Sequence, residues 1–396
     1  MKVYLIGTGV GNENSMSIEA AEIIKKCSVV IGAERMVARY KNEKEVFVSF
    51  DAEKIKNYII NKKNGDAAIL LSGDVSFYSG AKKIGEKLKE FENVEVIRIA
   101  GVSSLTYFCA KLGLSAENIK AVSLHGRKCN IIGHIRKNRY VFALLSGEND
   151  LKEICGKLCL YGMGDVAINI GERLSYDDEK ISAGSAVEFR DIKTDKLCVM
   201  IAENKNYNDE CGVYIEDGEF TRGNVPMTKA AVRAVSVGKM KIKRNSVIFD
   251  IGSGTGTVSV CCALSEVDSL VYAIEKNKDA VELTKKNKIK FAADNIEIVE
   301  GSAPEVFDEL PVPDCAFIGG SGGKCTAIIK KLKEMNHDIK IVMNVISLKT
   351  LGEVTELAEK ENYELDIMQI QSSFSKKVGE HYLMNGENPI YIITIK

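Results

Sequence analysis

The stretch Val247 to Val260, VIFDIGSGTGTVSV, constrains the fold more than any other part of this chain. A run of β-branched and aromatic residues ends at Asp250. Gly252, Gly254 and Gly256 then alternate with Ser253 and Thr255, and an apolar, helix-compatible segment follows. Glycines at such a turn let the backbone adopt left-handed conformations and come close to a ligand, with N–H groups turned toward it at the helix start. This is the strand–turn–helix unit found at the carboxyl edge of α/β sheets that bind nucleotide-like molecules. An ordinary tight turn is also compatible with the loop taken alone. The run Val271 to Glu275 is a second short strand ending in an acid. It lies about twenty residues past the last glycine, where a carboxylate accepts hydrogen bonds from ribose hydroxyls.

At 396 residues, 45% apolar and 28% charged, the chain has room for two or three domains with their own cores. A net charge of −1 gives no overall field for nucleic acid, so no nucleic-acid partner is expected. No apolar run reaches the roughly 18–20 residues that span a bilayer. Met1-Lys2 leads straight into an apolar strand, without the longer apolar region and cleavage site of a signal peptide. A cytoplasmic protein without a membrane partner is the expectation. The 11 cysteines are odd in number and scattered, as reduced thiols are. Cys155 and Cys159 stand one helical turn apart and Cys261 and Cys262 are adjacent, but neither pair has a second pair at zinc-ligand spacing, so packing is expected. The 4 histidines show no HxxH or HExxH spacing, and no bound metal is expected.

Short apolar runs alternate with helical patterns through the first two hundred residues, predicting a largely parallel α/β sheet. Val3 to Ile6, Cys27 to Ile31, Ala67 to Leu71 and Val94 to Ile99 read as strands. Three of them run into Gly/Ser/Asp loops: Gly7 to Gly11, Ser72-Gly73-Asp74 and Ala100 to Ser104. Further strands are predicted at Tyr140 to Leu145, Asp165 to Ile170 and Leu197 to Ile201, with the turn-rich Tyr176-Asp177-Asp178-Glu179 among them. Apolar periodicity stops at Asn204 to Glu210 and a fresh α/β pattern then runs to Ile395. The predicted organisation is a domain over 1–204, a linker over 205–211 and a second domain over 212–396. The lysine-rich stretch Lys276 to Lys290 reads as the solvated face of a surface helix.

In the second half the loop is GxGxG after an acid rather than GxGxxG. It is preceded by Val225-Pro226-Met227-Thr228-Lys229 and followed by Gly301-Ser302-Ala303-Pro304-Glu305 and Phe317 to Gly323, FIGGSGG. This order resembles the Rossmann-like, seven-stranded S-adenosylmethionine methyltransferase fold. PMTK, DIGSGTG, AIEKN, GSAPE, FIGGSGG and the closing NPIYI narrow the resemblance to the decarboxylating methyltransferase family of cobalamin biosynthesis called CbiT, over nearly all of 212–396. The resemblance implies that Thr228 and the loop Gly252, Ser253, Gly254, Thr255 and Gly256 contact S-adenosylmethionine. It assigns Glu275 to the ribose and Ala303 to the adenine region. Cys261 stands where that family would have a glutamate.

In the first half, IGTGVGN, SGDVSFYS (72–79), AGVSSL (100–105) and VSLHGR (122–127) resemble the tetrapyrrole methylase family, and within it the branch called CbiE, over about residues 1–204. Val10, Asp74, Phe77, Ser103 and Ser104 match positions lining that family's cofactor cleft, although Val10 and Val75 stand where the family usually has proline. Read without the family, Asp74 is a turn or cap residue and Ser103-Ser104 a helix cap. Together the two halves resemble fused, CobL-like precorrin-6Y/6B C5,15-methyltransferases.

That resemblance implies methylation of meso carbons 5 and 15 of precorrin-6B or its cobalt form, loss of the ring-C acetate carboxyl, and a homo-oligomer. A substrate with many carboxylates needs cationic anchors, and Arg127, Lys229 and Arg233 are the candidates, the last two one helical turn apart. No catalytic side chain is assigned. A methyltransferase acting on RNA or protein would want an aromatic or NPPY-like platform after the fourth strand, where FIGGSGG stands. A non-catalytic S-adenosylmethionine-binding regulator is the other alternative. An oxidoreductase using a nicotinamide cofactor lacks its GxGxxG.

Overall fold

The computed structural model describes residues 1–62, 65–126 and 129–396. Contacts divide the chain into two compact units. The first takes in Met1–Lys128, Arg139–Gly156 and Gly164–Lys205, and the second Cys129–Asn138, Lys157–Met163 and Asn206–Lys396.

The first unit opens with β1 (Lys2–Gly7), β2 (Val29–Gly32), β3 (Glu45–Val48), β4 (Ala67–Leu71) and β5 (Glu95–Ile99). They form a parallel sheet in the order β3-β2-β4-β1-β5. Its inner strands β2, β4 and β1 read as apolar runs because both faces are covered, whereas the edge strands β3 and β5 carry charged residues and are partly exposed. Val3, Leu5, Ala67 and Ile69 pack on one face, and Ile6, Ala68 and Leu70 on the other. Ser17 caps the first helix, Ile18–Lys26, by accepting from the Ala20 N–H. A second sheet joins β6 (Ile119–Ser123), β7 (Tyr140–Leu144), β8 (Ala167–Glu172), β9 (Lys180–Ser185) and β10 (Cys198–Glu203) in the order β6-β7-β10-β8-β9.

Only β6 and β7 pair in parallel there; β10 runs antiparallel to both β7 and β8, and β8 to β9. The expected largely parallel sheet therefore stops at β5. A parallel crossover needs a dozen or so residues, usually a helix, and the chain from β8 to β9 has only a turn. Reversal is the outcome.

The second unit is built on β11 (Val247–Ile251), β12 (Leu270–Glu275), β13 (Ile296–Glu300), β14 (Cys315–Ile318), β15 (Lys340–Val345) and β16 (Leu365–Ile370). A hairpin of β17 (Ser373–Val378) and β18 (His381–Gly386) precedes the closing β19 (Ile390–Ile395). The seven-stranded sheet runs β13-β12-β11-β14-β15-β19-β16, with β19 antiparallel to both neighbours. Alternate residues of β11 serve opposite cores, Ile248 on one side and Phe249 and Ile251 on the other. Burying each such side chain contributes about 1.5–3 kcal/mol. The hairpin is exposed throughout, including Phe374, Tyr382, Leu383 and Met384.

The cysteines are buried except for half-buried Cys129 and Cys159 and exposed Cys211. Burial pushes Cys261 up to about 11 and Cys315 up to about 12. Among the described residues no group of three or more His, Cys, Asp or Glu side chains could hold a metal ion, and no helix is long and apolar enough to cross a membrane.

Candidate active sites

In the second unit the loop after β11 is shaped by three left-handed glycines, at φ +67° for Gly252, +57° for Gly254 and +73° for Gly256. A Cβ on Gly252 would lie 2.5 Å from the Gly320 carbonyl oxygen, so the loops after β11 and β14 touch backbone to backbone. The lysine-rich helix Lys278–Lys290, capped by Asn277, holds the loop from behind. From its inner side Thr284 donates to the Gly254 carbonyl at 3.1 Å and Asn287 to that of Thr255 at 2.8 Å. The helix is thus more than a solvated face: Ala280 and Leu283 are buried, whereas Ile289 is exposed.

The result is a cavity of about 560 Å³ lined by Thr228, Lys229, Gly252, Ser253, Gly254, Thr255, Glu275 and Ala303, together with Phe317, Gly320 and Asn344. The approach segment Val225 to Lys229 contributes to its wall throughout. Glu275 is engaged with the backbone: its carboxylate accepts from the N–H groups of Gly254 at 3.0 Å and of Lys276 and Asn277 at 2.9 Å each. It keeps spare acceptor capacity, since a carboxylate offers about four lone-pair positions.

Two expected residues stand elsewhere. Gly256 is the residue before helix Thr257–Ser265, outside the cavity lining, and a Cβ there would strike the Thr284 side chain at 2.7 Å. Its glycine serves packing. Arg233 is 0% exposed, its guanidinium 4.7 Å from the Phe220 ring centroid. It donates to the carbonyls of Thr228, at 2.6 Å, and Ile215, and to Asp217 at 3.2 Å. The spacing from Lys229 was helical, but the side chain is used to tie the segment ahead of the helix to its first turns. It is a structural residue rather than a substrate anchor. Lys229 lines the cavity, half exposed, 3.9 Å from Glu387.

Asp250 carries a stronger signal than its place in the motif suggested. Its carboxyl is 1% exposed and one oxygen accepts from the Ser259 hydroxyl, while Oδ1 has no partner. Burial pushes this carboxyl up to about 7; the Ser259 hydrogen bond opposes the rise and the Glu275 charge adds to it. Ser253 Oγ is likewise buried without a partner. Asn344, whose Oδ1 accepts from Ser236 at 2.9 Å, keeps Nδ2 unbonded. All three residues line the cavity. An acid closing a fully buried strand was the available sequence signal for Asp250; nothing local marks Asn344.

In the first unit the loops after β1, β4 and β5 meet at glycines. A Cβ on Gly101 would lie 2.5 Å from the Gly73 oxygen and 2.6 Å from the Gly7 carbonyl carbon. Gly9 and Gly73 exchange backbone hydrogen bonds at 3.2 and 2.7 Å. Beside this crossing lies a cavity of about 250 Å³ lined by Val10, Asp74, Phe77, Ser104 and His125, with Leu144, Arg173, Tyr176 and Leu197. Asp74 braces the loops, accepting from the Ser76 N–H at 2.8 Å and the Gly101 N–H at 2.9 Å. Burial raises its pKa, but a hydrogen bond from the Ser76 hydroxyl, together with the Gly101 and Ser76 N–H groups, outweighs it and holds the carboxyl below its usual value. Ser103 differs from its neighbour: it caps helix Ser104–Leu112 by accepting from the Thr106 N–H, and is absent from the cavity lining. Its side chain is spent on the helix terminus. Arg127 lies outside the described residues.

A family profile described as a precorrin methyltransferase domain matches residues 219–396, and one described as tetrapyrrole (corrin/porphyrin) methylases matches residues 2–189. A Pyrobaculum calidifontis protein named a probable cobalt-precorrin-6B C(15)-methyltransferase (decarboxylating) is 40% identical over 183 residues, covering 46% of this chain and 94% of that protein. The Salmonella typhimurium cobalt-precorrin-6B C(15)-methyltransferase (decarboxylating) is 36% identical over 182 residues, covering 45% and 94%. A crystal structure of precorrin-6Y C5,15-methyltransferase from Geobacter metallireducens is 34% identical, with a TM-score of 0.44, over 46% of this chain and 96% of its own. With a tetrapyrrole methylase region ahead of a precorrin methyltransferase domain, this chain belongs to the fused precorrin methyltransferases and is a methyltransferase.

Proposed function

We propose that the chain is a bifunctional, S-adenosylmethionine-dependent enzyme of corrin ring construction. In this reading residues 1–204 methylate meso carbon 5, and residues 212–396 methylate meso carbon 15 and remove the ring-C acetate carboxyl of precorrin-6B or its cobalt form. The observation that carries it is the pair of glycine-walled clefts, each at the carboxyl edge of a parallel sheet within its own unit. One methyl transfer would need only one.

The residues of the larger cleft fit the cofactor. Its 560 Å³ lies within the roughly 300–1,000 Å³ of small-molecule sites. The unpartnered Asp250 Oδ1 and Ser253 Oγ offer polar atoms to a ligand bearing an ammonium, a sulfonium and hydroxyls, and Glu275 offers acceptor positions to a ribose. When bound, S-adenosylmethionine supplies the methyl as an electrophile. The protein's part is to place the electron-rich meso carbon in line with it, an effect worth up to roughly 7–11 kcal/mol. As the new C–C bond forms, the C–S electrons leave with sulfur. In the decarboxylation the C–C electron pair passes into the conjugated macrocycle, so no lysine adduct or metal is required of the chain. Lys229 remains a candidate carboxylate anchor at the cavity. The exposed apolar side chains of the β17–β18 hairpin support a homo-oligomer.

The test is mass spectrometry of products from the intact chain given precorrin-6B and S-adenosylmethionine, alongside calorimetry with S-adenosylhomocysteine. Two methyls gained, one carbon dioxide lost and two nucleoside sites per chain are expected. A single site per chain would overturn the bifunctional reading.

A further inference from the structure

The turn between β8 and β9 is strained in a way that its sequence does not announce. Arg173 and Ser175 both take left-handed backbone, at φ +48° and +66°. Such conformations cost non-glycine residues about 1–2 kcal/mol each and persist only where surrounding contacts impose them. Those contacts are present. The Asn12 N–H donates to Ser175 Oγ at 3.0 Å, and Asn12 Nδ2 to the Ser175 carbonyl at 2.6 Å. Glu179 accepts from the Ser175 N–H at 2.6 Å and the Tyr107 hydroxyl at 2.8 Å.

What the strained turn presents is Tyr176. Its ring lies so close to Gly11 that a Cβ there would be 2.4 Å from it. Arg35 Nη1 donates to the Tyr176 hydroxyl at 3.0 Å, and the Arg173 guanidinium sits 5.0 Å from the ring centroid. Tyr176 and Arg35 line both the 250 Å³ cavity and a smaller cleft of about 60 Å³ beside it. The neighbouring cations are engaged: Arg39 pairs with Glu13 and Arg173 with Asp178, each at 2.6 Å. Among the described residues Arg35 has no such ion pair. Much of the larger cavity's wall is apolar, with Val10, Phe77, Leu144, Leu174 and Leu197.

We propose that Arg35, presented by Tyr176, is the carboxylate anchor of the first cleft, gripping a peripheral carboxylate of the tetrapyrrole whose apolar body enters the cavity. Tyr176 is the positioning residue, fixing the guanidinium so that less freedom is lost when the ligand binds. This deepens the proposed function and rests on its substrate class. A guanidinium could equally take the carboxylate of the methyl donor, so the test has two arms.

The intact chain is compared with Arg35→Ala, Arg35→Lys and Tyr176→Phe. In the first arm KM and kcat for precorrin-6B are followed through the methyl added by the first unit. Arg35→Ala should raise KM about 10- to 100-fold with kcat nearly unchanged, as loss of a charge-assisted contact does. Arg35→Lys should recover part of the loss, and Tyr176→Phe should show a smaller rise. In the second arm, calorimetry with S-adenosylhomocysteine should give unaltered affinities and site numbers for every variant. An unchanged KM in Arg35→Ala overturns the proposal. So does loss of a nucleoside site, which would assign the guanidinium to the cofactor. If the unaltered chain methylates no precorrin-6B, the broader function fails instead. The anchor is then read by titrating uroporphyrin against the unaltered chain and Arg35→Ala, and equal affinity sinks it.

Discussion

The two clefts solve one geometric problem with different parts. In each, glycines from neighbouring strand ends let backbones touch: Gly7, Gly73 and Gly101 in the first unit, Gly252 and Gly320 in the second. Beyond that they diverge. The second cleft keeps its unmet polar atoms on interior residues, at Asp250, Ser253 and Asn344. The first satisfies its floor, with Asp74 bonded to Gly101 and Ser76, and carries its cations around the opening at Arg35, Arg173 and Lys196. One site is organised to recognise a ligand from beneath, the other from its rim. A glycine-rich turn therefore says where a ligand approaches, not how it is read.

The sharpest way to break this comparison is to fill the glycine crossings one at a time. Gly101→Ala puts a methyl 2.5 Å from the Gly73 oxygen, and Gly252→Ala puts one 2.5 Å from that of Gly320 at a left-handed φ. Each should abolish nucleoside binding at its own cleft and destabilise its unit by about 1–3 kcal/mol. Calorimetry should lose one site of two; loss of both from either substitution would show the clefts to be a single coupled site.

Asp250→Asn probes the unmet interior charge. With a folded pKa raised from 3.8 to about 7, the carboxyl's contribution to stability is complete below pH 3.8 and is lost as pH rises through about 7. The wild-type unfolding free energy should therefore fall between pH 5 and pH 7, by an amount on the order of a few kcal/mol, and the variant should be flatter. A cationic ligand favours the carboxylate, so S-adenosylmethionine affinity should rise with pH across 7 in the wild type only. Identical slopes in the two chains would remove Asp250 from the account.

Glu275→Gln weakens the acceptor that gathers three backbone N–H groups. A rise in cofactor Kd of about tenfold at the second cleft is expected in calorimetry, with the first cleft unaffected. The smallest effect belongs to Ser103→Ala, which removes a helix cap worth about 1 kcal/mol. It should lower the first unit's unfolding midpoint and leave nucleoside affinity alone. Ser104→Ala, at the cavity wall, should do the reverse.

Elements whose physics is local were legible in the sequence. β1 and β4 are apolar runs ending in glycine turns, and β11 is one that carries its acid, Asp250, just before the glycine loop. The approach segment and the loops at Gly301 and Gly320 also fell at the second cavity as the motif order implied. What failed was set by distant partners. Arg233 has the spacing of a surface cation, but Phe220, Asp217 and the Ile215 carbonyl claim it. Gly256 has cavity neighbours yet is required by the Thr284 side chain behind it, whereas Ser103 is the helix cap that its local sequence suggested and not the cleft residue that the family resemblance implied. Tyr176 read as part of a turn because its meaning depends on Gly11 and Arg35, both far away in the chain.

The burial of the cysteines gives the chain a ready chemical handle. Thiolates do the work in alkylation, and burial holds Cys198, Cys261, Cys315 and Cys325 far toward the protonated form, out of reach of a reagent. Cys211 is the exposed one among the described residues, in the polar stretch ahead of the seven-stranded sheet. A maleimide dye added briefly at neutral pH should mark that position ahead of the half-buried Cys129 and Cys159 without any engineering. It would give the native sequence, which has no tryptophan, a fluorescent reporter at one known position.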